Sequence, residues 1–514
     1  MCSEITQKDS LLLPANLPAT LQCVNRHEWL STAQRLHQAG AELVTLWGAD
    51  DRGRDGCFHM YAAYLTANEV LVVKHAPEAN NLTYPDLGSL FPAARRMQRA
   101  VYDLLGIAAY PRDERSWLRH GSWPEKIFPL RKDTDRQQEF PLVSVPYPFV
   151  SVAGDGVHEI PVGPVHAGTI EPGHFRFSVV GEKVLRLEER LGYTHKGVAR
   201  RFEQLPQHEG HRLAARLSGD AAVAFSWAYC TALESITRVT CPPRAVALRA
   251  LALELERVAN HLGDLGALGN DAGFAFGLTQ FSRMKEDLLR ANTTAFGARY
   301  LLDYIIPGGV AVDMSAVGHR LLLEQCNTLQ QAVRMLRTIY DEHAGLQDRM
   351  RETGRLQHAI AVELGATGLA ARASGIARDL RVNYPWPPYS QLAPSLAVQR
   401  SGDVFARVQV RFDETLESLR LCNVLLQKLP PGSIQTIVPL AEADCLGLGL
   451  IESWRGPVLI ALETEAGGSI RRCHAHDSSW QNWPLLEYAV IGNIVPDFPL
   501  INKSFNLSYS GHDG

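Results

Sequence analysis

This chain contains no CxxC pair. Its nine cysteines (Cys2, Cys23, Cys57, Cys230, Cys241, Cys326, Cys422, Cys445 and Cys473) never stand closer than eleven residues apart. An iron–sulfur cluster held within one chain needs clustered thiolates, so none is expected. A disulfide framework is equally unexpected in a long chain with scattered cysteines, which read as small buried hydrophobes. An excess of charge of one sign is missing too. The balance of 51 Lys and Arg against 55 Asp and Glu leaves −4, which argues against a nucleic-acid or anionic-lipid surface. No apolar run approaches the roughly 18–20 residues needed to span a bilayer. The opening Met1-Cys-Ser-Glu-Ile-Thr-Gln-Lys-Asp9 lacks the basic-then-apolar order of a signal peptide. The expected location is the cytoplasm or the cytoplasmic face of a membrane.

What is present is a chain of 514 residues, 46% hydrophobic, enough for the cores of two or three domains. The early part mixes a helix around His27–Ala39 with strands at Glu42–Trp47, Phe58–Leu65 and Glu69–Lys74, then a helix over Ala93–Leu105. Pro141-Leu-Val-Ser-Val-Pro-Tyr-Pro148 marks a connector. Strands come next around Gly173–Val180 and Lys183–Glu188, and then helices dominate. Pro242 and Pro243 introduce a helix from Arg244 to about Leu265, on which Glu254, Arg257 and His261 are spaced to share a face. Over His319–Met350 apolar residues recur at steps of four and three, from Leu322 through Cys326, Leu329, Val333 and Leu336 to Tyr340. Val404–Leu429 repeats that rhythm. Such one-striped helices pack into bundles. Short strands return near Pro457–Glu463 and Ile470–Cys473. The class is therefore α+β: residues 1–145 form a small α+β domain, and residues 146–514 a mainly helical bundle with short peripheral strands.

The motifs are more specific than the patterning. Tyr102-Asp-Leu-Leu-Gly-Ile107 followed by Phe128-Pro-Leu-Arg-Lys-Asp133 resembles the signature of the C-type subunit of complex I, a docking domain without a redox centre. Beyond it stand Gly163-Pro-Val-His166, Glu171-Pro-Gly-His-Phe-Arg176 and Leu191-Gly-Tyr-Thr-His-Lys-Gly197. Glu254-Leu-Glu-Arg-Val-Ala-Asn-His-Leu262, Gly308-Gly-Val310, Arg372-Ala-Ser-Gly-Ile-Ala-Arg-Asp379 and Gly402-Asp-Val-Phe-Ala-Arg407 come after. The run Asn482–Ile501 and the tail Asn506–Gly514 complete the set. In this order they resemble the D-type subunit of complex I (NADH-quinone oxidoreductase). They resemble still more closely the large subunit of membrane-bound group 4 [NiFe] hydrogenases of the formate-hydrogenlyase type, a branch in which the C and D types are fused.

Active hydrogenases of this kind carry two cysteine pairs that hold nickel and iron. At the matching positions this chain has Ser218 and Ala221, in Arg216-Leu-Ser-Gly-Asp-Ala-Ala222, and Ser508 and Gly511 in the tail. Nickel bridged to iron needs soft anionic sulfur. Alanine and glycine supply no ligand, and a serine hydroxyl is a hard, protonated oxygen. These are degenerate ligand positions, and no metal is expected on them. Nickel-carrying relatives also have a C-terminal extension that is clipped after metal insertion; here Gly514 follows Gly511 by three residues, and no clipping is expected.

The resemblance implies an oxidoreductase subunit that works only within its complex. It would form an electron-acceptor cavity beside a [4Fe-4S] cluster of a small iron–sulfur partner, with quinone as the first candidate acceptor. A ferredoxin-like iron–sulfur subunit and antiporter-like and other integral membrane subunits would complete a proton-translocating assembly, with this chain peripheral on the cytoplasmic face. A catalytically silent scaffold is the alternative, and nickel-dependent hydrogen turnover a third reading. The candidate site residues are His166, which matches a quinone-binding histidine of complex I, His174 a few residues on, and His195. Arg372, Glu452 at a position linked to proton passage, and Asp220, a new acid expected to pair with Arg372 or another buried cation, complete the set. His261 is either near the partner's cluster or a satisfied core histidine.

Overall fold

The computed structural model describes residues 10–135, 137–166 and 170–514; the N-terminal run Met1–Asp9 lies outside them. The first region is a five-stranded sheet in the order β1-β2-β5-β4-β3, built from Ser10–Leu12, Ala19–Val24, Glu42–Asp51, Cys57–Leu65 and Val70–His75. Only β2 and β5 run parallel. Helix α1 (Arg26–Gln38) begins on a capping box: Asn25 accepts from the Glu28 amide at 2.9 Å, and Glu28 accepts from the Asn25 amide at 3.0 Å. With α2 (Ala94–Leu105) it covers one face of the sheet.

Alternation along β4 sorts its side chains between two cores. Phe58, Met60, Ala62 and Tyr64 meet α1 and α2, whereas Tyr61, Ala63 and Leu65 join the core of the rest of the chain. Trp47 on β3 belongs to that second face and stacks on His474 at 4.9 Å. Each large side chain so buried contributes about 1.5–3 kcal/mol, so the first sheet is fastened to its neighbour as well as to its own helices.

A second sheet, antiparallel throughout, joins β6 (Val157–Val162), β7 (His174–Val180) and β8 (Lys183–Arg190). Five long or central helices then carry most of the chain up to residue 427: α3 (Ala222–Thr237), α4 (Pro243–Asp271), α5 (Ala275–Phe296), α6 (Ala316–Glu342) and, after the short α7 (Gly368–Ala373), α8 (Val404–Gln427). A third antiparallel sheet has β10 (Pro457–Thr464) between β9 (Leu446–Glu452) and β11 (Ile470–His476). Helices α9 (Ser479–Ala489), α10 (Phe498–Phe505) and α11 (Tyr509–Asp513) close the chain.

The apolar stripes of α6 and α8 are buried as the spacing predicts. The stripe expected to run on to Met350 breaks at His343, which leaves helical geometry and accepts from the Leu346 amide at 3.2 Å to start a new short helix. Helix α3 has no stripe to read because nearly its whole circumference is buried. Among the described residues no helix is long and apolar enough to cross a membrane.

Candidate functional site

Two glycines on β9 set how deeply the site is buried. A Cβ on Gly449 would stand 1.9 Å from the Ala228 carbonyl oxygen, and one on Gly447 2.6 Å from that of Ala232. A strand bare on that face is what lets α3 lie directly against it. The start of α3, preceded by residues 216–221, thereby meets the turn after β9, Ser453-Trp454-Arg455. The Trp454 indole donates to the Asp220 carbonyl at 2.8 Å, as does Asn260 from α4.

The four degenerate positions converge although they lie almost three hundred residues apart. The Ser218 and Ser508 hydroxyls are 2.9 Å apart, and Ser218 donates to Asp220 at 2.6 Å. Because the Ser218 proton is spent on Asp220, Ser508 is the donor between the two serines. Ser508 also caps α11, accepting the Gly511 amide at 2.8 Å. A Cβ on Gly511 would come within 2.7 Å of Asp477 and 2.8 Å of the Ser508 hydroxyl. Ala221 is fully buried at the start of α3. Asp220 pairs with Arg455 at 2.6 Å, not with Arg372, and Arg455 also donates to the Asn506 carbonyl at 2.6 Å. Burial alone would raise the Asp220 pKa; Arg455 and the Ser218 hydroxyl outweigh it and hold the carboxyl below its ordinary value. Among the described residues no three His, Cys, Asp or Glu are grouped to hold a metal ion.

Arg372 instead anchors a buried ionic lattice. It bonds Glu414 at 2.6 Å and Glu452 at 2.9 Å. Arg381 bonds Glu254 at 2.9 Å and Asp379 at 2.7 Å, and Glu254 accepts from Tyr389 and Ser418 at 2.6 Å each. Arg257 lies 3.6 Å from Glu254 and 3.7 Å from Glu414, while His261 meets Glu414 at 2.8 Å. The face read for Glu254, Arg257 and His261 therefore exists, with Glu414 on α8 as its focus. None of these residues is more than 3% exposed. Burial would raise the Glu414 pKa, yet Arg372 and His261 hold it far below its usual range. Glu452 goes the other way, raised by burial and by the nearby Asp379. His261 is pushed down by burial.

The three candidate histidines split into two places. His174 and His166 meet at Gly163. The His174 ring bonds the Gly163 carbonyl at 2.9 Å, and a Cβ on Gly163 would lie 3.6 Å from the His166 ring. Phe149 packs on His174 at 5.2 Å, and burial lowers the His174 pKa. His195 sits elsewhere, in the clamp that holds α11. Its ring bonds the Asp513 carbonyl at 2.8 Å, and the Asp513 carboxylate accepts from Gly192 and Thr194 at 2.8 and 2.9 Å. Glu171 adds a bond to the Ser510 amide at 3.1 Å. The Glu171 and Tyr193 motif segments are therefore the mould of the tail. Sequence reasoning missed Arg455, Glu414 and Asp513, since no spacing rule links residue 220 to 455 or 195 to 513. The single readable hint was Asp220 itself, an acid in a buried motif that needed a cation.

Two family profiles match the chain: "Respiratory-chain NADH dehydrogenase, 30 Kd subunit" over residues 22–140 and the "49 Kd subunit" over residues 271–444. Formate hydrogenlyase subunit 5 of Escherichia coli is 31% identical over 496 residues, covering 93% of this chain and 85% of that protein. The fused C/D subunit of NADH-quinone oxidoreductase from Bacteroides thetaiotaomicron is 25% identical over 461 residues, covering 83% and 86%. Among solved structures, a chain of the membrane-bound sulfane sulfur reductase, an archaeal respiratory membrane complex, shares the fold with a TM-score of 0.66 and 24% identity, over 71% of this chain and all of that one. With both subunit types on one chain and a relative above 30% identity along nearly its whole length, the protein belongs to the family of complex I-like membrane-bound hydrogenase and reductase subunits, which are oxidoreductase subunits.

Proposed function

We propose that the chain is a peripheral subunit of an energy-converting membrane oxidoreductase, on the cytoplasmic face, that holds no nickel–iron centre of its own. The observation that carries this is the 2.9 Å contact between the Ser218 and Ser508 hydroxyls, at two of the positions where the resemblance calls for thiolates. Both hydroxyls are committed to hydrogen bonds, and Ala221 and Gly511 have no donor atom. Around them the space is taken up by Asp220, Arg455 and Asp477. That donor set does not suit nickel or iron, which need soft anionic sulfur.

In this reading the chain accepts electrons from a [4Fe-4S] cluster of a partner subunit through an organic acceptor, with quinone first. A quinone, when bound, supplies a two-electron, two-proton acceptor. The resemblance makes His166 the group to approach its carbonyl oxygen; His174, whose ring already bonds the Gly163 carbonyl at 2.9 Å and accepts from Arg176 at 3.4 Å, would support that approach rather than donate to the acceptor. The test is to count nickel and iron in the complex purified from membranes and to assay hydrogen-dependent dye reduction on the same sample. Iron without nickel and without hydrogen activity supports the proposal, whereas stoichiometric nickel with hydrogen uptake overturns it.

A catalytically silent scaffold is favoured by one observation: the His174 and His195 rings already bond main-chain carbonyls. Electron transfer undiminished in His166→Ala, with no quinone protection of His166 or His174 from labelling, selects the scaffold.

A further inference from the structure

The second sheet turns Phe175, Phe177 and Leu187 into the main core, so by alternation His174, Arg176, Glu188 and Arg190 share its other face. Arg190 stands directly across the ladder from His174, where side chains are neighbours. The connector, residues 145–150, lies over this polar face. Phe149 packs on the His174 ring at 5.2 Å and lies under the Arg176 guanidinium at 4.5 Å, and the Val150 amide donates to Glu188 at 2.9 Å. Between connector and sheet a cavity of about 560 Å³ remains, within the size range of small-molecule sites.

Most of the charge on this face is cancelled. Arg176 bonds Glu159 at 2.8 Å, and Glu188 bonds Arg115 at 2.9 Å. Arg190, which lines the cavity, is the exception. It makes no hydrogen bond or ion pair among the described residues, and its Nε is sealed from solvent. The groups that act on its charge are Tyr193, Tyr147 and Arg99, and no carboxylate is among them, so burial pulls its pKa below the ordinary value. Arg99 is itself committed to the Arg115 and Ser116 carbonyls at 2.8 and 3.0 Å.

Three features select an occupant. A single uncompensated positive charge calls for a monoanion, since a dianion would leave one charge over. The guanidinium carbon sits 4.8 Å over the Tyr147 ring, another wall of the cavity. With that face covered and Nε sealed, the terminal nitrogens are left in plane, the geometry that a carboxylate matches. The neighbouring walls Val145, Pro146, Pro148 and Phe149 carry no polar side chain, so the rest of the molecule is apolar.

We propose that this cavity binds an amphiphilic monocarboxylate, its carboxylate in plane with the Arg190 guanidinium and its apolar body against the connector prolines and Phe149. The proposal goes beyond the acceptor assigned above and does not rest on it. Binding at equilibrium needs no electron transfer, so the two readings fail separately.

The experiment is ligand-observed NMR titration of the purified complex with hexanoate and benzoate. Hexanol and benzyl alcohol are the charge-free controls, acetate the control without an apolar body, and inorganic phosphate the competing anion. Hexanoate and benzoate bind saturably, about tenfold or more tighter than every control, since hydrogen bonds to charged groups are worth that much. Arg190→Met removes the preference for acids over alcohols. Arg190→Lys keeps the charge without the fork and retains part of that preference, which separates ligand loss from misfolding. Phe149→Ala weakens hexanoate and leaves acetate unchanged. No saturable binding of either acid to the unaltered complex, binding indifferent to Arg190→Met, or phosphate binding tighter than both acids overturns the proposal.

Discussion

The turn Glu452–Arg455 separates two buried polar regions that follow opposite rules. On the Glu452 side, four carboxylates (Glu254, Asp379, Glu414 and Glu452) face three guanidiniums (Arg257, Arg372 and Arg381), all within the core. On the Arg455 side one ion pair, Asp220–Arg455, ends a chain of two serine hydroxyls. The first is an ionic lattice in which almost every charge meets its opposite directly, while the second gets by with hydroxyls and a carboxylate whose side chain is 39% exposed. The difference teaches where the fold's stability resides. A buried charge cannot lose one partner without leaving the other uncompensated, whereas a hydroxyl chain beside solvent can be rewired.

The sharpest break of the comparison is therefore the same substitution on both sides. Arg372→Met leaves Glu414 and Glu452 in the core without their shared cation, and we expect a loss of about 3–5 kcal/mol. Arg455→Met leaves an Asp220 that water can reach but strips the Asn506 carbonyl of its 2.6 Å donor, and we expect about 1–2 kcal/mol. Thermal unfolding of the complex carrying each variant measures both. Equal losses would mean that the two regions are energetically alike and the distinction fails.

The next contrast concerns pH. The lattice acid Glu414 is held ionised by Arg372, but Glu256, on α4 against the start of α3, accepts only two amides there and is pushed up to about 8 by burial. Glu256 thus binds its proton more tightly in the folded than in the unfolded chain. Its contribution is whole below its ordinary value near 4.5 and is lost as pH rises towards 8. The slope is about 1.4 kcal/mol per pH unit within that window. Glu463, pushed up to about 7, adds a slope of the same sign below that pH. The decisive interval is therefore pH 7 to 8, where Glu256→Gln flattens the decline relative to the unaltered protein. An unchanged slope would show that Glu256 is ionised in the fold.

How much of this was legible follows the same divide. The striped helices α6 and α8 and the alternating β4 could be read because each has one buried face or two distinct ones. Helix α3, buried all round, and the glycine-bearing β9 that packs on it have no period that tells of their partners. At the site, the ordered motifs located Ser218, Ser508, Arg372 and Glu452, and the i, i+3 spacing of Glu254 and Arg257 was recoverable from helix geometry. The connections between segments were not. Arg455 for Asp220, Glu414 for Arg372, and Asp513 for the Tyr193 segment are contacts across more than forty residues each. Sequence spacing carries no information about these pairs; only the packing of β9 on α3 and the moulding of the tail create them.

The smallest effects belong to the serines, and their coupling is itself diagnostic. Ser508 does two things: it caps α11 through the Gly511 amide and donates to Ser218. Ser218 accepts that bond and donates to Asp220, which keeps Arg455 in any case. Loss of a cap costs about 0.5–2 kcal/mol; the Ser218 bond ends on an ionised carboxylate, a class worth about 1.5–3, but water reaches the 39% exposed Asp220 side chain and replaces part of it. Ser508→Ala and Ser218→Ala should therefore cost about the same, each about 1 kcal/mol. The double variant should fall short of the sum by about 0.5 kcal/mol or more, because the shared bond is counted twice. Additive losses in a double-mutant cycle would mean that the two hydroxyls do not interact, and that the contact joining the two halves of the degenerate site contributes nothing to holding the tail in place.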